Sequence, residues 1–282
     1  TLSSSSAASD VYKRQVNDWL SSAAISANTA GLETLGLRIE VEREIDSTNA
    51  ALKRRALSED IHGVALFAET QTAGRGRLGR VWVSPPKSNI YLSLGWRTGL
   101  EPLELAGLSL AVGCAIGEGL ERNFGLKMQL KWPNDLYLGG KKCGGVLIDL
   151  VQSSNQDWTV VVGVGLNVAM PNSGGNDIDQ PWTDLGSHSA VPLTRNEVGG
   201  QLLGVLVPLL SSWQVGAFSQ WRESWSRRDL MAGHQITVQQ GNHSISGRAD
   251  GVDQSGALRV VTNEGLTVVQ SGEASMLRSK DL

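Results

Sequence analysis

The chain has 282 residues, 40% of them hydrophobic and 19% charged, with a net charge of −3 at neutral pH. That balance belongs to a globular protein with a sizeable core, long enough for one large domain or a main domain with a small companion. The slightly acidic total argues against a broad nucleic-acid-binding face. The two cysteines, Cys114 and Cys143, do not make a disulfide framework and fit a reducing cytoplasm. The four histidines are scattered without zinc-site spacing, and no apolar run of about 18 residues predicts a membrane span.

Residues 1–15, TLSSSSAASDVYKRQ, lack the basic start and apolar centre of a secretory signal. Their DVYKRQ end resembles the translation of a transposon end used in sequencing libraries. The tract is expected to be a read-through artefact and is set aside from the fold. Apolar spacing then predicts a helix over Trp19 to Leu35, covering the main domain. Alternation predicts a strand over Leu37 to Ile45, and Asp46-Ser47-Thr48-Asn49 precedes a helix at Ala50 to Leu57. Short polar residues in that place cap a helix; a second reading has the Ser47 and Thr48 hydroxyls binding a polar ligand.

Val64 to Ala68 is a buried strand, and Gln71 leads into Gly74-Arg75-Gly76-Arg77-Leu78-Gly79-Arg80. Glycine lets a ligand approach the backbone, and arginine offers a fork of donors to carboxylate or phosphate. The spacing matches G-x-G-x-x-G, but no helix follows: Val81 to Val83 reads as another strand, stopped at Pro85 and Pro86. That context disfavours a dinucleotide fold. A solvated basic turn and a lid over an anion both remain open here.

Ile90 to Trp96 is the next strand, and Leu103 to Arg122 carries apolar residues at helical spacing. Met128 to Trp132 is a strand, followed by a hairpin turned at Gly139-Gly140 and continuing through Lys142-Cys143-Gly144-Gly145. Lys142 beside such a turn is either solvated or placed against a ligand. Val160 to Val164 runs on as Gly163-Val164-Gly165-Leu166-Asn167, where glycine marks close approach of a ligand or of another strand. Pro171 to Pro181 reads as a mobile loop ending at Trp182. Thr194 to Glu197 fits a capping box opening a long helix, and Trp213 to Arg228 a further helix with a tryptophan-lined face. From Gly233 the pattern changes to short strands at His234 to Gln239, Ser244 to Ala249, Leu258 to Thr262 and Leu266 to Gln270, a small β-barrel.

Five segments, in order, resemble the biotin–protein ligase (biotin–[acetyl-CoA-carboxylase] ligase) family of the bacterial type. They are Asp46 to Asn49, Gln71 to Arg80, Lys131-Trp132-Pro133-Asn134-Asp135, Lys142 to Gly145 and Gly163 to Asn167. The resemblance runs from about Leu37 onward. It implies an α+β fold: a class II aminoacyl-tRNA synthetase-like catalytic domain with a mixed sheet at 37–232, then a small SH3-like barrel at 233–282. Residues 16–36 resemble a connector region. Many relatives carry a winged helix-turn-helix before such a connector; none is expected in this chain, so no nucleic-acid partner is expected with it.

The implied chemistry has two steps. Biotin is activated by ATP as biotinyl-5′-AMP, with Mg2+ arriving on the ATP phosphates and no metal held by protein alone. The biotinyl group then passes to a lysine of the biotin carboxyl carrier protein of acetyl-CoA carboxylase. By resemblance, Ser47, Thr48 and Gln71 would bind the ureido ring, with Asn49 beside them. Trp82, Gly145 and Gly163 would wall the apolar part. Gly74, Arg75 and Arg77 would close over biotin and phosphate. Arg77, Arg80, Lys131, Asn134, Asn167 and Trp182 would serve ATP and the adenylate, with Asn134 reading adenine. Lys142, Arg75, Arg77 and Asp135 would be catalytic, Asp135 orienting the incoming lysine. Leu78 stands where an arginine is common. The resemblance implies a cytoplasmic setting, no membrane and an optional homodimer. The alternatives are a lipoate or octanoate ligase or transferase of the same superfamily, and a truncated biotin-operon repressor acting as a sensor.

Overall fold

The computed structural model describes residues 19–29, 31–152, 157–171, 175 and 178–277. The expected artefact tract and part of the 171–181 loop lie outside them. The first strands follow the alternation closely: β1 is Arg38–Ile45, β2 Val64–Gln71 and β3 Asn89–Thr98. They continue with β4 Gln129–Lys131, β5 Asp135–Leu138, β6 Lys141–Gln152 and β7 Trp158–Asn167. These form one sheet in the order β1-β2-β3-β7-β6-β5-β4. β1 and β2 are parallel and the other neighbours antiparallel, so the sheet is mixed. The β5–β6 hairpin turns where expected, with Gly139 at φ 58° and Gly140 at φ 73°, the pair of positive φ values that a two-residue turn requires.

Helices pack on both faces because the strands are apolar on both. Val160, Val162, Val164 and Leu166 of β7 join one core with the helices α3 (Leu108–Phe124) and α4 (Arg195–Ser212). On the opposite face Val161, Val64 and Leu66 pack with Ala51 and Leu52 of α2 (Thr48–Arg55). Residues Pro102–Phe124 have the length and apolar content of a membrane span, a property the search for apolar runs missed. They form a core element instead: Ala111, Val112, Cys114 and Ile116 are fully buried against the sheet.

Three expected helices are broken, and a left-handed glycine stands in each broken stretch. The Trp19 to Leu35 stretch holds only α1 (Ser22–Ser26) and a 3-10 turn at Leu32–Leu35, the latter flanked by Gly31 and Gly36 at φ 85° and 77°. Gly107 at φ 79° separates the 3-10 turn Pro102–Leu105 from α3. Gly216 at φ 72° separates α4 from the 3-10 turn Ala217–Gln220 and α5 (Arg222–Arg228). Left-handed backbone cannot continue a helix. The capping box is present: Thr194 Oγ1 accepts from the Glu197 amide at 3.2 Å and Glu197 Oε2 accepts from the Thr194 amide at 3.2 Å.

The C-terminal strands are β8 Gln235–Gln240, β9 His243–Val252, β10 Leu258–Thr262, β11 Gly265–Val269 and β12 Glu273–Met276. They form a second, wholly antiparallel sheet in the order β11-β10-β9-β8-β12. Sequence reading missed β12, whose four residues are too short to show alternation. The expected strand at Val81 to Val83 is absent: Val81 makes a single bridge to Arg75. The segment is the return arm of the glycine–arginine loop, and Val81 is 80% exposed.

Candidate active site

The site begins with glycines in the middle of the sheet. Alternate residues of a strand share a face, so Gly163 and Gly165 of β7 lie on the α2 side, opposite Val162 and Val164. The register sets them in two rows: Ser93, Gly163 and Leu147 in one, Tyr91, Gly165, Gly145 and Asp135 in the other. With no side chains at the centre of each row, the face is hollowed. Side chains from elsewhere fill part of the space. A Cβ on Gly163 would lie 2.2 Å from Asn49 Oδ1, and one on Gly165 would lie 2.5 Å from the Trp82 ring. These glycines therefore serve side-chain packing as well as the ligand cavity.

The cavity that remains is about 400 Å³, within the range of small-molecule sites. At one end lies the β1–α2 corner. Ser47 is the N-cap of α2, its Oγ accepting from the Ala50 amide at 3.4 Å. It also faces the cavity with Thr48 and Asn49, so the cap and the ligand-facing readings both hold. Gln71 Oε1 accepts from the Thr48 amide at 2.9 Å, and its Nε2 donates to Ser84 Oγ at 3.2 Å. These bonds fix which way the Gln71 amide points.

Positive charge accumulates along the rest of the lining. Arg75, Arg77 and Arg80 reach the cavity from the loop, and Lys131 and Lys142 from β4 and β6. Asp135 sits between the lysines: Lys142 Nζ is 2.7 Å from its Oδ1 and Lys131 Nζ 3.7 Å from its Oδ2. Burial draws the Lys131 ammonium below its usual pKa, with Asp135 opposing. Burial does the same to the Arg77 guanidinium, with Glu273 opposing. Cations held partly out of water act strongly on an anion brought between them.

The loop itself is a tight hairpin. The Gly76 amide donates to the Arg80 carbonyl at 2.7 Å and the Trp82 amide to the Gly74 carbonyl at 2.9 Å. Leu78 has φ 53° and is 76% exposed. Gly74 is a different case from its neighbours. It stands behind the lining, where a Cβ would meet the Trp82 carbonyl oxygen at 2.5 Å.

Asn134, Asn167 and Trp182 also line the cavity. Asn167 Nδ2 donates to the Thr183 carbonyl at 3.0 Å and Asn134 Nδ2 to the Val146 carbonyl at 2.8 Å. Both thus brace backbone at the rim. A bridge between Lys142 and Trp182 ties the rim to β6. Among the described residues no cluster of three His, Cys, Asp or Glu side chains forms a metal site.

One wall has no local signal in the sequence. Glu273, Ala274 and Ser275 of β12 complete the cavity from the second sheet. Glu273 pairs with Arg80, and Arg77 Nη1 donates to the Gly272 carbonyl at 3.3 Å. No local pattern reveals such pairs, because the partners lie far apart in the chain. Asp149 and Ser93, which bond to the residues of the polar corner, were missed for the same reason.

This geometry defines a site that offers one ligand both a neutral polar corner and a set of cations suited to negative charge. Residues 41–167 match the Biotin/lipoate A/B protein ligase family, and 232–277 match the Biotin protein ligase C terminal domain. The chain is 34% identical over 237 residues to the bifunctional ligase/repressor BirA of Escherichia coli, covering 84% of this chain and 73% of that relative. It is 34% identical over 247 residues to the biotin–[acetyl-CoA-carboxylase] ligase of Mycobacterium tuberculosis, covering 86% and 90%. The biotin protein ligase from Aquifex aeolicus in complex with biotin and ATP superposes with a TM-score of 0.72 at 31% identity, covering 86% of this chain and 99% of that one. The chain belongs to the biotin protein ligase family.

Proposed function

We infer that the protein is an ATP-dependent ligase that activates biotin as biotinyl-5′-AMP and transfers it to a lysine of the biotin carboxyl carrier protein of acetyl-CoA carboxylase. Residues 37–232 are assigned as its catalytic unit and 233–282 as its C-terminal unit. The observation that carries this reading is one cavity joining the Ser47, Thr48 and Gln71 corner to the Arg77, Lys131 and Lys142 cations. A urea needs both donors and acceptors, and hydroxyls with an amide offer both. Gly145, Gly165 and the Trp82 ring give the apolar middle of biotin a flat wall.

In the first step a biotin carboxylate oxygen attacks the α-phosphorus of ATP and pyrophosphate leaves. Two anions must meet, and Lys142 with Arg75 and Arg77 offsets their repulsion while charge builds on the phosphoryl oxygens. Lys131 and Arg80 hold the departing phosphates, whose Mg2+ comes with ATP. Asn134, Asn167 and Trp182 shape the adenine end. The loop from Gly74 to Arg80 then keeps water from the mixed anhydride. In the second step the neutral amine of the carrier lysine attacks the acyl carbon and AMP leaves. Asp135 orients the amine. Both cysteines are free and buried, which supports a reducing, cytoplasmic setting.

The test is transfer of labelled biotin to purified carrier protein in the presence of ATP and magnesium. Label on the carrier lysine is the expected result. Labelling with lipoate and none with biotin would overturn the assignment.

A further inference from the structure

Beneath the polar corner runs a chain of hydrogen bonds that the two-step reaction does not use. Lys53 Nζ lies 2.8 Å from Asp149 Oδ1 at the surface. Asn49 Nδ2 donates to Asp149 Oδ2 at 2.9 Å and to the Leu147 carbonyl at 3.2 Å. Both acceptors lack protons to give, so the Asn49 amide has one orientation, with Oδ1 turned inward. That oxygen is in close contact with Ser93 Oγ, which also lies 2.7 Å from Thr48 Oγ1. Asn49, Ser93 and Thr48 are each 5% exposed or less. Gly163 makes the arrangement possible, since any side chain there would displace Asn49.

A hydroxyl has one proton. Asn49 Oδ1 cannot donate, so the contact with Ser93 is a hydrogen bond only if Ser93 gives its proton there. Ser93 Oγ is then an acceptor towards Thr48, and Thr48 gives its own proton to Ser93. What Thr48 turns to the cavity is a lone pair. Gln71 Oε1 accepts from the Thr48 amide at 2.9 Å and also lies 3.3 Å from Thr48 Oγ1, a longer contact than the one to Ser93; whichever of the two takes the hydroxyl proton, a lone pair is what Thr48 has left for the ligand.

We propose that Asp149 is a positioning residue: acting through Asn49 and Ser93, it fixes Thr48 as an acceptor, and so selects a ligand that presents an N–H at that point. The proposal rests on the biotin reading, in which a ureido N–H meets Thr48. It assigns two residues that do not line the main cavity, Asp149 and Ser93, to substrate specificity.

Asp149→Asn keeps the shape and reverses the chain. Lys53 draws the new carboxamide oxygen, the NH2 group faces Asn49, and Asn49 turns over at the cost of its longer bond to the Leu147 carbonyl. Ser93 then donates to Thr48, and Thr48 points a proton at the ligand N–H. Biotin binding to the full chain without ATP, followed by calorimetry, should weaken roughly tenfold to a hundredfold, the cost of one buried group left opposed. The KM for ATP should stay unchanged. Ser93→Ala cuts the chain and should weaken biotin similarly, and the double variant should bind no worse than Ser93→Ala alone.

Two cyclic carbamate analogues of biotin, each with one ureido N–H replaced by ring oxygen, supply the second probe. One should bind the unaltered protein more weakly than biotin does, and Asp149→Asn should narrow that gap. Normal biotin affinity in Asp149→Asn or in Ser93→Ala, additive losses in the double variant, or an unchanged carbamate gap would each overturn the proposal. Melting curves identify a variant that fails to fold, and Ser93→Ala carries the test where Asp149→Asn is lost. Failure of the unaltered protein to bind biotin at all would overturn the biotin reading itself, which separates the two.

Discussion

Lys142→Ala is the sharpest test of the electrostatic argument. Lys142 Nζ is 2.7 Å from Asp135 Oδ1, and its side chain is 15% exposed. A unit charge about 4 Å from a phosphoryl oxygen is worth about 4 kcal/mol at an effective dielectric near 20. Lys131 and the loop arginines cover part of that loss, so the variant should lose about 2–4 kcal/mol of transition-state stabilisation, roughly 30- to 1,000-fold in rate. Stability should suffer less than the about 3–5 kcal/mol expected when a buried pair is broken. The reason is that Asp135 keeps Lys131, 3.7 Å from its other oxygen. The assay is single-turnover formation of biotinyl-AMP at saturating biotin and ATP, with a urea melt run in parallel. Adenylate formation within about threefold of the unaltered rate, well below the range expected for a positioned charge, would refute the reasoning.

Three further outcomes follow from the geometry. Arg77→Gly removes a guanidinium that lines the cavity and donates to the Gly272 carbonyl at 3.3 Å; biotinyl-AMP should leave faster and label bystander lysines, and an unchanged adenylate off-rate would contradict the lid. Gly165→Ala places a Cβ 2.5 Å from the Trp82 ring, so the indole must move into the cavity; biotin affinity should fall while the melting midpoint drops by the equivalent of about 1–3 kcal/mol, and unaltered affinity would show that Trp82 is not the wall. The Arg54 guanidinium holds the Asp46 carboxyl down at about 2 from an ordinary 3.8. A depressed carboxyl stabilises the fold above its unfolded pKa and loses that contribution as pH falls through the folded one. Urea midpoints should therefore fall between about pH 4 and 2, weakly because the pair is solvent-screened; Asp46→Asn should flatten that limb, and an identical acid limb would count against the pair.

Much of this was legible before any coordinates. Strands written as alternation, such as Arg38–Ile45, and the Gly139-Gly140 turn appear where the pattern puts them, because period and turn chemistry are local. Every predicted cavity residue except Gly74 lines the cavity, since its motifs lie at strand ends and loops that converge. The glycine breaks at Gly31, Gly107 and Gly216 were not legible, because isolated glycine is tolerated in helices and only packing decides whether it bends the chain. Nor was the role of Gly163. Its place on the strand was visible, but the side chain that occupies its space, Asn49, belongs to another element. Glu273 and Asp149 stayed hidden because their partners, Arg80 and Asn49, are remote in sequence.

The wall supplied by β12 has a consequence for synthesis. A chain elongated only through Asn167 already holds every strand of the cavity floor, from β3 to β7. It lacks Glu273, Ala274 and Ser275, and with Glu273 the partner of Arg80. Such a chain also lacks α4, which packs under β7, and Trp182, so neither the support of the floor nor the partner of Arg80 is yet made. The order of the two sheets along the chain delays completion of the cavity until the last strand is made.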